Sequence, residues 1–218
     1  MLRAAAAEGI GTSLLLAIVV GSGIMGEKLA AGNAAIALLA NSIATGTGLY
    51  VLIVTFQPIS GAHLNPVISV ISLCEKAITF RTCVAYLLAQ VVGALVGVSC
   101  AHAMFGLPLL QVSARLRPTL GESLGEVLAT FGLVLVILLT ARFRRGAGPA
   151  AVACFITSAY WFTSSTSFAN PAVTFARALT DTFAGISPES VPLFLVGQVS
   201  GATLALLLSR WLVHSVSD

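Results

Sequence analysis

The sequence predicts an all-α membrane protein with six transmembrane helices and two re-entrant half-helices, arranged as an inverted repeat. Three observations support this fold class. Hydrophobic residues make up 57% of the 218-residue chain and charged residues only 9%, whereas a soluble domain carries about 25% charged residues. The 46 residues between Lys28 and Glu75 contain no Asp, Glu, Lys or Arg. The chain also repeats its own order of motifs. This composition excludes a water-soluble enzyme.

Six segments are long and apolar enough to cross a bilayer, which takes about 20 residues in a helix. We place them at residues 4–25, 35–56, 81–104, 121–141, 147–166 and 191–213. Two further apolar stretches begin at Asn65 and Asn170 and run for only about nine residues before polar residues return. They are too short to cross, so we expect them to enter the membrane and return, or to lie buried.

The distribution of basic residues predicts the orientation of the chain. With a cytoplasmic N-terminus, seven Lys and Arg fall on the inner side and four on the outer side, which agrees with the positive-inside rule. The inner set is Arg3, Lys76, Arg81, Arg142, Arg144, Arg145 and Arg210, and the outer set is Lys28, Arg115, Arg117 and Arg177. We therefore expect a multi-pass protein of the cell (inner) membrane with both termini in the cytoplasm. Because these charges are scattered singly, no nucleic-acid partner is expected.

Two other features of the sequence have ordinary interpretations. The apolar stretch after Arg3 resembles a signal peptide, but Glu8 interrupts it and further apolar segments follow, so we interpret it as the first span. The four cysteines lack the spacing of a zinc site or a disulfide framework. They are Cys74, Cys83, Cys100 and Cys154. No metal or cofactor is expected.

The two halves of the chain share one order of motifs: a glutamate in the first span, a loop with an Asn-Pro pair, and a Gln followed three residues later by Gly. The members are Glu8, Asn65-Pro66, Gln90 and Gly93 in the first half, and Glu126, Asn170-Pro171, Gln198 and Gly201 in the second. We place the halves at about 1–110 and 118–218, within a single domain of residues 1–218. Each half has three spans, an odd number, so the second half must be inserted upside down.

The paired Asn-Pro motifs carry the functional argument. A single Asn-Pro is a common helix start, because Asn caps free backbone amides and Pro has no amide to lose. Two such pairs at matching positions in inverted halves predict two half-helices that meet, N-terminus to N-terminus, near the membrane midplane. Their positive ends would converge at Asn65 and Asn170 and oppose cations. The preceding non-helical carbonyls would line a polar path.

These motifs resemble those of the major intrinsic protein family, the aquaporins and aquaglyceroporins, over essentially the whole chain. The pore-motif residues are Asn65, Pro66 and Val67 in the first loop, with Val67 in place of the usual Ala, and Asn170, Pro171 and Ala172 in the second. The resemblance implies six spans with two half-helices, a passive channel with a pore in every subunit, and a homotetramer. It also implies that Glu8 and Glu126 brace the re-entrant loops.

One departure from the family pattern bears on selectivity. The family's second motif normally continues with an Arg that belongs to the outer selectivity filter, and this sequence has Val173 there. Offsets from the motifs place the other filter positions at Thr45, Ser158 and Ser167. All four side chains are small, so we expect a wide constriction without an aromatic ring, imidazole or guanidinium. In this respect the sequence resembles the bacterial arsenic-resistance aquaglyceroporins.

The filter positions also have an ordinary structural interpretation. A Ser or Thr within a membrane helix often donates its hydroxyl to the carbonyl four residues back, and Thr45, Ser158 and Ser167 are each open to that alternative. We expect His63 to lie at the inner pore mouth, held against loop backbone, and not to bind a metal.

Arg177 has two interpretations. It follows Val173 by four residues and so falls on nearly the same helix face. It is either a displaced filter charge at the outer pore mouth or a snorkelling arginine that satisfies the end of its half-helix and pairs with Asp181.

The sequence thus predicts a passive channel for small uncharged polar solutes, namely water, glycerol, urea, and arsenous and antimonous acid. Its partners are the lipid bilayer and these neutral solutes. The main alternative is a secondary transporter that couples transport to protons at Glu8 or Glu126, since carboxylates within a membrane are functional candidates. An intramembrane hydrolase using Ser and His63 is the weakest hypothesis, because no acid accompanies them.

Overall fold

The computed structural model describes residues 1–117 and 119–214, and the described part of the chain folds into eight α-helices. They are α1 (Leu2–Leu29), α2 (Ala34–Ser60), α3 (Pro66–Cys74), α4 (Phe80–Met104), α5 (Leu120–Phe143), α6 (Gly148–Phe162), α7 (Pro171–Arg177) and α8 (Val191–His214). Short 3-10 turns precede α6 and α8, at Arg145–Ala147 and Pro188–Ser190. The predicted all-α fold class is confirmed.

Five of these helices have the length and hydropathy of membrane-crossing helices. The fifth predicted span, residues 147–166, is shorter than expected, because α6 has 15 residues and is therefore only about 22 Å long. Where the sequence predicted a helix to residue 166, the chain leaves α6 at Thr163, whose backbone is extended. Just beyond the end of α6, the Ser164 hydroxyl donates to the carbonyl of Gly121 on α5. In the same segment the Ser165 hydroxyl accepts from the Ser167 amide at 3.2 Å, a local bond of the kind that competes with a helix.

The two half-helices begin where the Asn-Pro pairs predict. The side-chain oxygen of Asn65 accepts from the backbone amide of Val67 at 2.9 Å. That of Asn170 accepts from Ala172 at 3.0 Å and from Val173 at 3.3 Å. In both helices proline occupies the first turn, where its missing amide leaves no hydrogen bond unmade.

The helices pack as two equivalent pairs. Helix α1 packs along α4, and α5 packs along α8. At the crossing points Gly93 faces the Gly9 carbonyl and Gly201 faces the Val127 carbonyl, so closely that an added methyl group would overlap either oxygen. Small residues that allow two backbones to approach are typical of membrane helix interfaces. Both half-helices contact α4 or α8 and each other, which holds their N-termini at the centre of the molecule.

The faces of the molecule can be named from the chain path. Helix α1 begins at one face, which we call the N-terminal face, and ends at the opposite face. Arg210 near the end of α8 pairs with Glu75 after α3 at 2.9 Å, which places both at the N-terminal face. The long loop before α5 and the segment after α7 contact each other at the opposite face, where the Ser187 amide donates to the Arg115 carbonyl at 2.7 Å.

Candidate pore between the half-helices

The first re-entrant loop is held by a buried glutamate. Glu8 on α1 is fully buried. One carboxylate oxygen accepts from the amide of His63 at 2.9 Å and the hydroxyl of Ser60 at 2.6 Å. The other accepts from the amide of Leu64 at 2.6 Å and the side-chain amide of Gln90 at 2.8 Å. These four bonds fix the loop immediately before Asn65.

Glu126 on α5 makes the equivalent arrangement in the second half. This fully buried carboxylate accepts from the amides of Phe168 and Ala169, both at 2.8 Å, and from the side-chain amide of Gln198 at 2.5 Å. Neither glutamate lines the central cavity. The geometry is therefore that of two braces, the arrangement that the resemblance implied.

Two glutamines complete the braces, and we had not predicted this role for them. The side-chain amide of Gln90 also donates to Ser69 on α3 at 3.0 Å. That of Gln198 donates to Thr174 on α7 at 2.8 Å. Each glutamine thus joins its glutamate to the half-helix. The sequence signal was present, since both glutamines belong to the repeated motif order.

The backbone of both loops enters the left-handed region at the same offsets. Positive φ angles occur three and one residues before each Asn, at Ala62 (51°) and Leu64 (50°) and at Ser167 (52°) and Ala169 (48°). Each such residue costs roughly 1–2 kcal/mol relative to ordinary backbone. The hydrogen bonds to Glu8 and Glu126 hold this loop geometry. Because the loops are not helical, their carbonyls are free to accept hydrogen bonds from other groups.

The two asparagines bond across the centre of the molecule. The side-chain nitrogen of Asn65 donates to the Ala169 carbonyl, and that of Asn170 donates to the Leu64 carbonyl, each at 2.8 Å. Each amide group has two N–H bonds, and these contacts use one of them. Because both asparagines line the cavity, the second N–H of each is positioned to donate to a molecule inside it.

A cavity of about 490 Å³ passes between the two halves. It extends from Thr140 and Pro149, near the N-terminal face, to Tyr160 and Arg177, near the opposite face. Loop backbone and the two asparagines form its polar wall. The facing wall is apolar and consists of Leu15, Val19, Leu49, Ile53, Leu133, Ile137, Val152 and Ile156. A row of polar groups facing an apolar wall suits small molecules that pass from one polar group to the next by exchanging hydrogen bonds.

Three of the four predicted filter residues line this cavity, and they are Thr45, Ser167 and Val173. The Ser167 hydroxyl is buried without a hydrogen-bond partner among the described residues. Thr45 does not bond within its own helix but pairs with the Tyr160 hydroxyl at 3.1 Å. The ordinary alternative is therefore wrong for Thr45.

The prediction for Ser158 is wrong. This residue is exposed on the outside of α6, and its hydroxyl donates to the Cys154 carbonyl at 2.9 Å, which is the ordinary alternative. Tyr160 lines the cavity instead. Two residues correspond to about 200° around a helix, so a slip of two in the assumed offset moves a side chain from one face to the other.

Tyr160 corrects the expectation of a constriction without an aromatic ring. Arg177 lies one helical turn beyond Val173. It is 3% exposed and lines the cavity. Its guanidinium carbon lies 3.4 Å from the centre of the Phe168 ring, and its Nε donates to the Ala184 carbonyl. The predicted partner Asp181 instead accepts from the Ala114 amide at 3.0 Å. The snorkelling interpretation of Arg177 is therefore wrong, and a phenol and a guanidinium both line the cavity.

Two other predicted positions differ in exposure to the cavity. His63 lines it, held by the hydroxyls of Ser69 at 3.0 Å and Ser72 at 3.3 Å and by the edge of Tyr86, and not by loop backbone. Val67, which replaces the family's Ala, does not line it and packs in the apolar core near α5. The substitution therefore changes packing behind the pore.

The described helices and cavity define a pore-forming α-helical membrane protein. A profile of the family described as "Major intrinsic protein" matches residues 1–167. The chain is 50% identical over 212 residues to the aquaglyceroporin AqpS of Rhizobium meliloti (strain 1021), covering 97% of this chain and 91% of that protein. It is 30% identical over 221 residues to aquaporin-1 of Homo sapiens, covering 94% of this chain and 80% of that protein.

The fold also matches a solved structure. The X-ray structure of the aquaglyceroporin from Plasmodium falciparum superposes with a TM-score of 0.72 over 96% of this chain and 94% of that one, at 17% sequence identity. The chain belongs to the major intrinsic protein family. It is accordingly a passive membrane channel and not an enzyme.

Proposed function

We propose that this channel conducts small uncharged polar solutes, namely water, glycerol, urea, and arsenous and antimonous acid. The observation that carries the proposal is the pair of cross-bonded asparagines, Asn65 and Asn170, which both line the central cavity and each keep a second side-chain N–H for a solute. A neutral hydroxyl compound can accept from these donors and exchange bonds with the loop carbonyls. An ion would lose its hydration shell without equivalent ligands.

The absence of Arg at position 173 supports a channel wider than a water-only pore. Val173 is buried and contributes an apolar wall at the place where the family's filter normally has a guanidinium. Selectivity in such pores follows diameter and lining donors. Thr45, Tyr160 and Ser167 supply the remaining lining of this segment, and Arg177 contributes a charge one helical turn further along α7.

We propose that the two halves, about 1–110 and 118–218, form one channel unit and that four units assemble as a homotetramer. The exposed apolar side chains on the outer helix faces, such as Leu88, Val199 and Leu207, support contact with lipid or with neighbouring subunits. The excess of basic residues at the N-terminal face supports an inner-membrane location with that face in the cytoplasm.

The proton-coupled alternative has no support from the geometry of the glutamates. Glu8 and Glu126 are fully buried, accept several hydrogen bonds each from the loops, and do not line the cavity. A proton carrier needs access to the transport path.

The test is stopped-flow flux in proteoliposomes for water, glycerol, urea and arsenous acid. We expect all four to cross at rates linear in their gradients and independent of a pH gradient. Val173→Arg adds a guanidinium to the cavity wall, so glycerol and arsenous acid flux should fall while water flux is largely retained. Val173→Ala is the matched control and should retain the flux of all four solutes. Saturable uptake driven by a pH gradient would instead support the transporter.

A further inference from the structure

Beside the cavity, at the opposite face, lies a second recess of about 170 Å³. Its wall carries three arginines, Arg115, Arg117 and Arg177, together with Asn41 and Thr166. Arg115 and Arg117 come from the loop before α5, and Arg177 from the end of α7. Two distant segments of the chain thus deliver three guanidinium groups to one small space.

None of the three arginines forms an ion pair with a carboxylate in the described part of the chain. Glu122 is engaged in the capping box of α5 with Thr119, Glu126 holds the second re-entrant loop, and Asp181 accepts from the Ala114 amide. Within residues 1–117 and 119–214, the ion pair found is that between Arg210 and Glu75 at the N-terminal face. The recess therefore holds three guanidinium groups without a directly paired carboxylate.

The guanidinium groups are fixed in place, but their hydrogen-bonding capacity is only partly used. Arg117 is 7% exposed, and one terminal nitrogen donates to the Ser165 carbonyl at 3.0 Å, while its buried Nε has no partner among the described residues. Arg115 donates to the Phe183 carbonyl at 2.7 Å. The guanidinium carbons of Arg117 and Arg177 lie 5.2 and 3.4 Å from the same Phe168 ring. Ring and carbonyls thus position donors that have no protein acceptor.

The surroundings of Arg117 also weaken its protonated form. Burial, with a smaller contribution from the neighbouring Arg115, lowers the pKa of the Arg117 guanidinium to about 10, although Glu122 and Glu126 act in the other direction. A group with that pKa remains protonated at neutral pH. A bound anion would stabilise its charged form.

We propose that this recess binds a small oxyanion, a carboxylate or inorganic phosphate, between Arg115, Arg117 and Arg177. Guanidinium groups match the paired oxygens of carboxylate and phosphate with bidentate, charge-assisted hydrogen bonds. The volume admits an anion of a few non-hydrogen atoms. The site goes beyond the proposed solute path, since it holds a charged ligand that the pore itself excludes.

Binding is tested on the full chain in a non-ionic detergent, without any flux measurement. Phosphate is followed by 31P NMR line broadening and acetate by 1H saturation transfer, each against sodium chloride at equal ionic strength. We expect saturable binding of at least one oxyanion. Because Arg115 is exposed, Arg115→Gln should fold normally and weaken this binding about tenfold, the loss expected for one charge-assisted contact.

Arg3→Gln is the matched control, because Arg3 is an exposed arginine at the N-terminal face, and it should bind as the unaltered protein does. Arg117→Gln should abolish binding, but its outcome depends on folding, so Arg115→Gln decides. Binding of phosphate alone or of acetate alone supports the site and identifies its ligand. Absence of both, or equal binding by Arg115→Gln, overturns the proposal. Since no solute flux enters this test, its outcome is separate from that of the channel proposal.

Discussion

Tyr160 is a bulky residue of the cavity wall that lies outside the Asn-Pro motifs. Its ring lines the cavity and its hydroxyl pairs with Thr45, linking α6 to α2. It is also buried. The ring occupies space on the cavity wall without adding a fixed charge, whereas Arg177 adds a charge further along α7.

The size of the Tyr160 ring should limit which polyols pass. Tyr160→Ala removes the ring and opens the wall, so the flux of four- and five-carbon polyols should rise relative to glycerol. A barrier lowered by about 1.4 kcal/mol would raise that flux about tenfold. The measurement is stopped-flow light scattering with a polyol series. Tyr160→Phe keeps the ring and loses only the Thr45 bond, so its polyol cutoff should match that of the unaltered protein. An unchanged cutoff in Tyr160→Ala would show that the narrowest point lies elsewhere.

Among the helices, the end of α6 depends on distant residues, whereas the two half-helices begin where local sequence predicts. Their starts are predictable, because Asn and Pro act on the first turn alone. The end of α6 is not, because Ser164 bonds to Gly121, a residue 43 positions away. Ser158 was misplaced for a related reason. An offset counted from Asn170 assumes a fixed path through the loop, and that path depends on tertiary contacts.

The closeness of α5 and α8 depends on Gly201. Gly201→Ala places a methyl group against the Val127 carbonyl, and overpacking of this kind typically destabilises by about 1–3 kcal/mol. We expect a lower thermal unfolding midpoint in detergent. The matched control is Gly121→Ala in the first turn of α5, where the new methyl would have only the Thr119 hydroxyl nearby, at 3.7 Å. That variant should be neutral or slightly stabilised, since Ala favours helix. Equal midpoints for the two variants would contradict the packing argument.

The converging half-helix dipoles predict the effect of a negative charge at the centre. Asn65→Asp and Asn170→Asp each introduce a carboxylate where two positive helix ends meet, so neutral-solute flux should fall and cation conductance should appear. Both variants should behave alike because the asparagines make equivalent bonds. Electrical recording on planar bilayers measures the leak. A variant with normal glycerol flux and no leak would exclude its asparagine from the solute path.

At the scale of the whole molecule, three sources of positive potential act along one path. Two are the half-helix N-termini at the centre, and the third is the guanidinium of Arg177 near the opposite face. The inverted repeat accounts for the first two, and the paired motifs make them predictable. The third has no counterpart in the first half, where α3 ends at Cys74. The position of the Arg177 guanidinium could not be predicted from the sequence, because it depends on contacts with Phe168 and Ala184 in two separate segments.

Arg177 should therefore be the residue that keeps a wide pore from leaking cations. Arg177→Ala removes a fixed charge from the cavity wall while the Asn pair stays intact, so cation conductance should rise without loss of glycerol flux. Arg177→Lys keeps the charge, so its cation conductance should remain as low as that of the unaltered protein. Arg115→Ala removes an exposed charge that does not line the cavity, so its cation conductance should also remain low. Recording conductance and glycerol flux on the same preparations separates a leak from misfolding, because a misfolded variant loses flux. If Arg177→Ala conducts glycerol normally and no cations, the half-helix dipoles alone form the barrier and Arg177 serves only the packing of the pore mouth.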